Sequence, residues 1–375
     1  EIDIQGDVSY IGDYAFACTD VRAATFSSST TNYGDEVYGY CPSLKKVVWD
    51  GFNPVDVKDG WVTAREDSGA FIPFSLFDQD PSLDTCVLDG VTYPAGELVV
   101  PGNVDAICTA AFRGTAFSTV DFNEGLKGIK AVGPYCFGSM ANLKSATIPS
   151  GVEFYNQRKA GATQDSPANT FNRSGLESVT FSDGVVAIPS GMCSGCKKLS
   201  SVIIEGTLEK IGGSAFSKCK SLTQFDFPAS LKEIGGYAFE GSGLTSIDIG
   251  AVESIARYAF FGTQYLTDVK IVGSDTVSLD ASVFGTYTSY DPAAPIRRFE
   301  LQNGSIEAFY ASVAKTTLET LVLGDGVKSV PNGLCNGFEK LSTVELGNGV
   351  KTIGSNAFSG TAISSISVPD SVQSI

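Results

Sequence analysis

The sequence predicts a repeat solenoid, a stack of short coils that each give one strand to a parallel sheet. Three observations carry that prediction. Apolar-x-apolar triplets recur at 179–181, 202–204, 225–227, 247–249, 269–271, 299–301, 321–323, 344–346 and 366–368, in steps of 22 or 23 residues with one of 30. An apolar residue stands three positions before most of them, as in Leu143, Leu176, Leu199, Leu222, Leu244, Leu266, Ile296, Leu318, Leu341 and Ile363. An isoleucine stands five positions before a phenylalanine in Ile11/Phe16, Ile107/Phe112, Ile211/Phe216, Ile234/Phe239, Ile255/Phe260 and Ile353/Phe358. Looser triplets at 2–4, 24–26, 47–49, 86–88, 120–122 and 146–148 bring the number to fifteen. A fixed period of this length means units that cannot bury an apolar face alone and do so by stacking. A chain of 375 residues would otherwise suggest two or three domains. The repeat overrules this and makes residues 1–375 one solenoid of about 15 coils of 22–23 residues.

Each part of the unit has its own reason. The triplet has period two, so it is a short strand whose first and third side chains point inward. Pro, Ser, Asp and Gly follow it and turn the chain. The isoleucine, the phenylalanine of "AF" and the leucine then point back to the core. The class is α/β in name, with mostly short parallel strands, turns and short helical segments. Four stretches break the period, near 50–68, 89–100, 153–166 and 285–295. Each lies between repeat positions, so each is expected to be an excursion from a coil. Both ends fall within repeats, at "IDI" (2–4) and at "SVQSI" (371–375). Solenoids normally carry caps, so the chain is expected to be a piece of a longer protein.

The stretches "SLTQFDFPASLKEIGGYAFEGSGLTSIDI" (221–249) and "VELGNGVKTIGSNAFSGTAISSISVPDSVQSI" (344–375) resemble the BspA-like leucine-rich repeat, also called the Treponema pallidum-type repeat. The element I-G-x-x-A-F is specific to that subclass. The resemblance is clear over 171–375 and looser over 1–170. It implies a leucine-rich repeat solenoid from a set of secreted or surface-displayed proteins, several of them adhesins. It transfers no catalytic residue.

Composition narrows the chemistry. The formal net charge is −16, from 26 Lys+Arg against 42 Asp+Glu, which repels phosphate backbones and anionic lipid. Nucleic acid is therefore not an expected partner. No run of 18 apolar residues occurs, so no membrane insertion is expected in this segment. There is no histidine, which removes the commonest general base and any Ser-His-Asp or Cys-His mechanism within the chain. No phosphate-binding, EF-hand or dinucleotide motif is present. No cofactor and no metal site are expected.

The nine cysteines all fall on repeat positions and read as buried, inert thiols. Cys18, Cys41, Cys196 and Cys219 lie three residues before the leucine slot, and Cys193 and Cys335 replace the phenylalanine. "CSGC" (193–196) has the C-x-x-C spacing of redox and zinc sites, yet each of its cysteines has a repeat explanation.

Candidate binding residues lie in two places. The middle residues of the triplets face outward: Asp226, Asp248, Lys270, Glu300 and Glu345 form a row of charges. Stacking is expected to set Asp226 beside Asp248, a like-charge contact that a cationic partner would relieve; the alternative is a solvated polar face. The insertions carry Phe52, Trp61, Tyr155, Tyr287 and Tyr290. Aromatics on loops over a rigid frame suit ligand contact, and they equally suit packing onto the frame. The expected function is a non-enzymatic, extracellular or cell-surface scaffold that binds a host or cell-surface protein or glycan, or mediates adhesion. A structural spacer displaying another domain is the alternative, and a carboxylate-based hydrolase comes last, because no carboxylate pair sits in a recognisable glycosidase context.

Overall fold

The structure is a computed structural model that describes residues 2, 8–27, 33–50, 70–72, 75–154, 168–280, 282–285, 293–307, 309 and 313–375. The chain divides into two compact units, 1–185 with 189–206, and 186–188 with 207–375. Both are stacks of coils held by parallel strands.

Among the described residues, twelve of the fifteen triplets form strands. In the first unit, Ala23–Ser27, Lys46–Asp50 and Thr85–Leu88 pair in parallel, as do Thr119–Asp121, Ser145–Ile148, Ser178–Phe181 and Ser201–Ile204. In the second, Ser246–Ile249, Asp268–Ile271, Arg298–Ile306, Thr320–Val327 and Thr343–Leu346 pair in parallel. Their register stacks Ile247, Val269, Phe299, Leu321 and Val344 in one column and Ile249, Ile271, Leu301, Leu323 and Leu346 in another. Alternate burial of Ser246–Ile249 and Asp268–Ile271 follows the pleat. The count of about fifteen coils is thus corrected to about twelve strand-bearing turns. Among the described residues, 225–227 and 366–368 lie outside any strand. At the first of these, Phe225 and Phe227 stand 4.7 Å apart and both rest on Phe239, at 5.1 and 5.5 Å. Two rings fill the place that Ile takes in the next coil.

A second parallel ladder runs through the isoleucine slot. Ala187–Ile188, Lys210–Ile211, Glu233–Ile234 and Ser254–Ile255 pair in sequence, with each isoleucine buried and the residue before it exposed. Ion pairs cross this ladder, such as Lys210 to Glu233 at 2.9 Å.

No helix occurs among the described residues; the expected short helical segments are chains of turns. In one coil, Ala215 donates to the Gly212 carbonyl and Ser217 to that of Ser214, while Ser214, Phe216 and Lys218 donate to Gly236, Ala238 and Glu240 of the next coil. Alternate amides therefore serve the stack, and a helix would turn all of them back on their own segment. The alternation needs left-handed backbone at two positions four residues apart, here Ser214 (φ 56°) and Lys218 (φ 60°). Other coils place Gly241 (φ 58°) and Gly262 (φ 67°) at the Lys218 position. A side chain in this region costs about 1 kcal/mol, so Lys218→Gly is expected to raise stability and Gly241→Ala to lower it, each by about 1 kcal/mol. A methyl on Gly241 meets nothing closer than 3.8 Å, which leaves the backbone conformation as the cause. Chemical denaturation of the two variants checks the pair of opposite signs.

The phenylalanine slot builds the core. Phe77, Phe112, Phe137 and Phe171 follow one another at 5.5, 6.3 and 5.5 Å in the first unit. Phe216, Phe239, Phe260 and Phe284 do so at 5.5, 5.4 and 5.7 Å in the second. Each fully buried ring contributes about 1.5–3 kcal/mol of transfer free energy.

Of the insertions, 89–100 is described almost as a clasp. Val91–Thr92 turns back antiparallel on Thr85–Leu88 through Asp89 (φ 48°) and Gly90 (φ 79°), the two-residue hairpin turn that Asp-Gly favours. Leu98, Val99 and Val100 are buried, and the indole of Trp49 donates to the Val99 carbonyl at 3.0 Å. Residues 51–69, 155–167 and 286–292 lie outside the described residues.

Candidate functional site

The outward row of the second unit is the candidate site, and each strand places its charge by the pleat. Register sets Lys270 between Asp248 and Glu300, and Val322 between Glu300 and Glu345. Lys270 Nζ meets Asp248 Oδ2 at 3.1 Å with both side chains exposed. Arg298 donates to Glu300 Oε2 at 2.7 Å, and Gln302 to Oε1 at 2.8 Å. Burial alone would raise the Glu300 pKa, but the hydrogen bonds from Arg298 and Gln302, with the charges of Arg298 and Lys270, hold it below its usual value. The row is therefore a chain of alternating charge. Val322, 8 % exposed, separates Glu345 from it.

Asp226 lies outside the strands, so no strand pairing sets it beside Asp248. Asp226 is exposed between Phe225 and Phe227, and Asp248 pairs with Lys270. Phe52, Trp61, Tyr155, Tyr287 and Tyr290 lie outside the described residues. A half-buried feature went unread in the sequence. Tyr237 and Tyr258 stack at 5.2 Å on adjacent coils, both in the left-handed region, with their faces against each other.

A small apolar hollow lies among Leu279, Phe284, Phe299, Ile306 and Phe309, with Asp280 and Glu307 also lining it, and its room for water-sized molecules is about 10 Å³. Ligand pockets usually span roughly 300–1,000 Å³. Asp280 accepts from Ser282 and from Arg257 at 2.8 Å, and these bonds, those of Ser282 first, keep its carboxylate ionised to lower pH than usual. Among the described residues no group of three His, Cys, Asp or Glu is placed to hold a metal ion.

Eight cysteines are buried and Cys18 is exposed. The frame explains this correction. Phe-to-leucine spacing is six in the coils of Cys196 and Cys219 but five from Phe16 to Val21. Counted from the phenylalanine, the buried slot three residues on holds Cys41, Cys196, Cys219, Thr115 and Thr263. In the first coil that position is Thr19, whose hydroxyl donates to the Phe16 carbonyl at 2.8 Å. Cys18 instead takes the left-handed outer position, φ 57°.

The same count exposes a residue missed in the sequence. "FDQDPSL" (77–83) aligns with "YGYCPSL" (38–44) and puts Asp80 in the cysteine slot. Asp80 is 0 % exposed; its Oδ1 accepts from the Cys41 amide at 2.6 Å, and among the described residues its Oδ2 has no partner. Burial pushes its pKa up to about 8. Two residues away, Asp78 is buried and clamped by Arg113, at 2.7 Å from Nε and 2.5 Å from Nη2.

Comparison with known proteins follows this geometry. The family model described as BspA type leucine-rich repeat region matches residues 1–53, 93–159, 165–290 and 296–375 in six copies. No curated protein matches. Among solved structures, a leucine-rich repeat protein from Bacteroides ovatus is 19% identical over 98% of this chain and 78% of its own, with a TM-score of 0.47. A leucine-rich cell surface protein from Faecalibacterium prausnitzii is 18% identical over 98% of this chain and 73% of its own, with a TM-score of 0.30. The T. pallidum leucine-rich repeat protein is 18% identical over 70% and 84%, with a TM-score of 0.26.

Proposed function

Because the chain belongs to the BspA-type leucine-rich repeat family, we propose that it is a binding scaffold without catalysis of its own, displayed outside the cell, which captures a protein or glycan and so mediates adhesion. The observation that supports this reading most is the row Asp248, Lys270, Glu300 with Arg298. Parallel strands hold these charges about 4.8 Å apart, so the pattern costs little ordering when a partner of complementary charge docks. Rigid frames with variable exposed faces are how solenoids recognise partners.

The test is a panel of immobilised extracellular-matrix proteins and glycans. The exchange Asp248→Lys with Lys270→Asp keeps the ion pair and inverts the displayed pattern. It is expected to leave the unfolding midpoint in place and to weaken capture about tenfold, or about 1.4 kcal/mol. Deleting 50–68 is likewise expected to leave the coils folded and to weaken capture. Unchanged capture by both variants, or no capture of any probe by the native chain, overturns the reading; the second result favours a spacer.

A further inference from the structure

We propose that Cys193 and Cys196 are a redox-active pair that closes to an intramolecular disulfide by exchange with a low-molecular-weight disulfide, latching the turn they share.

The geometry separates this pair from every other cysteine slot. The Cys196 amide donates to the Cys193 carbonyl at 3.1 Å, so the two residues end one β-turn. Such a turn holds its end Cα atoms within about 7 Å, and disulfides span roughly 4.4–6.8 Å. Both side chains point into the coil at 0 % exposure. The Cys193 thiol hydrogen-bonds the Cys196 sulfur, which also meets the Phe171 carbonyl at 3.0 Å and Ser174 Oγ at 3.4 Å. Cys41 and Cys219 occupy the same slot as Cys196, but their turns begin at Tyr38 and Phe216, so neither faces a thiol of its own turn. The chemistry differs in the same sense. Burial pushes the thiols of Cys41, Cys86, Cys136 and Cys335 up. The Cys193 hydrogen bond first, then those of Ser174 and Arg173, pull Cys196 down against its own burial. Hydrogen bonds donated to the sulfur favour its thiolate, and they act against the Phe171 carbonyl, to which the Cys196 thiol itself donates at 3.0 Å.

The exchange balances as follows. The Cys196 thiolate attacks one sulfur of the reagent disulfide and expels the other as a thiolate. Cys193 then gives up its proton and attacks the Cys196 sulfur, expelling the second reagent thiolate. Two protein S–H bonds and one reagent S–S bond become one protein S–S bond and two reagent thiols. Because both sulfurs are buried, the reagent enters on local opening of the 191–196 turn.

The experiment incubates the folded full chain with oxidised glutathione at pH 8, quenches with acid, alkylates and maps peptides by mass. The peptide spanning 193–196 is expected to lose two hydrogens and resist alkylation, while exposed Cys18 carries a glutathione adduct. Cys193→Ser is expected to trap the adduct on Cys196, and Cys196→Ser to leave Cys193 reduced over the same time. If either variant fails to fold, the native peptide map decides alone. A native chain that keeps both cysteines reduced, while the urea-unfolded chain joins them, overturns the proposal. A disulfide joining either one to a different cysteine does so as well.

Discussion

Arg113→Met is expected to lower stability by about 3 kcal/mol. Asp78 is a buried carboxylate with a 2 % exposed side chain, and the guanidinium is its charge partner on both oxygens. Removing one member of a buried pair costs roughly 3–5 kcal/mol, because the other charge stays desolvated and uncompensated. The low end applies here, since the Arg113 side chain is 34 % exposed and water reaches that side. Glu36 sharpens the effect: burial, then the charge of Asp78, raises its pKa, and Arg113 opposes them. Without the guanidinium the two carboxylates repel directly. Urea denaturation measures the loss. The double variant Asp78→Asn with Arg113→Met is expected to recover most of it, because no buried charge remains. A single variant as stable as the native chain would show that the pair contributes nothing.

The second large effect concerns Asp80. Its folded pKa of about 8 stands above the ordinary value of 3.8. Between these values the folded chain holds a proton that the unfolded chain releases. The Asp80 contribution to stability is thus greatest below about pH 4 and is lost as pH rises toward 8. One pKa unit corresponds to 1.36 kcal/mol, so this group alone removes up to about 6 kcal/mol across that window. Asp80→Asn keeps the acceptor for the Cys41 amide and cannot ionise. Its unfolding midpoint is expected to fall much less between pH 4 and pH 8 than that of the native chain. Glu36 acts with the same sign, while Glu300 and Asp280, held low, act with the opposite sign. All three are common to both proteins, so the difference in slope isolates Asp80. Parallel slopes would refute a buried neutral carboxyl.

Much of the architecture was legible in the chain because spacing dictates which way a side chain points. The period placed Ile211, Phe216 and Leu222 in the core, and all three are fully buried. It placed Asp248, Lys270 and Glu300 on one outward row, and the strand register does so. The Asp80 slot was readable too, once counted from phenylalanine and not from leucine. What spacing could not convey was the second ladder at Lys210–Ile211 and Glu233–Ile234, since two residues are too short to show a period.

The sequence by itself determined the repeat, its inward columns and its outward faces, because these depend only on chain geometry within one coil. The tertiary structure alone decided which coils hydrogen-bond and who stands beside whom. Asp226 lies outside the strands, while strand pairing sets Asp248 beside Lys270 and Lys270 beside Glu300, so that row alternates in charge. A one-residue change in spacing sends Cys18 outward, and a shared turn brings Cys193 onto Cys196. Strand register and turn geometry set those outcomes, and both are properties of the packed coils.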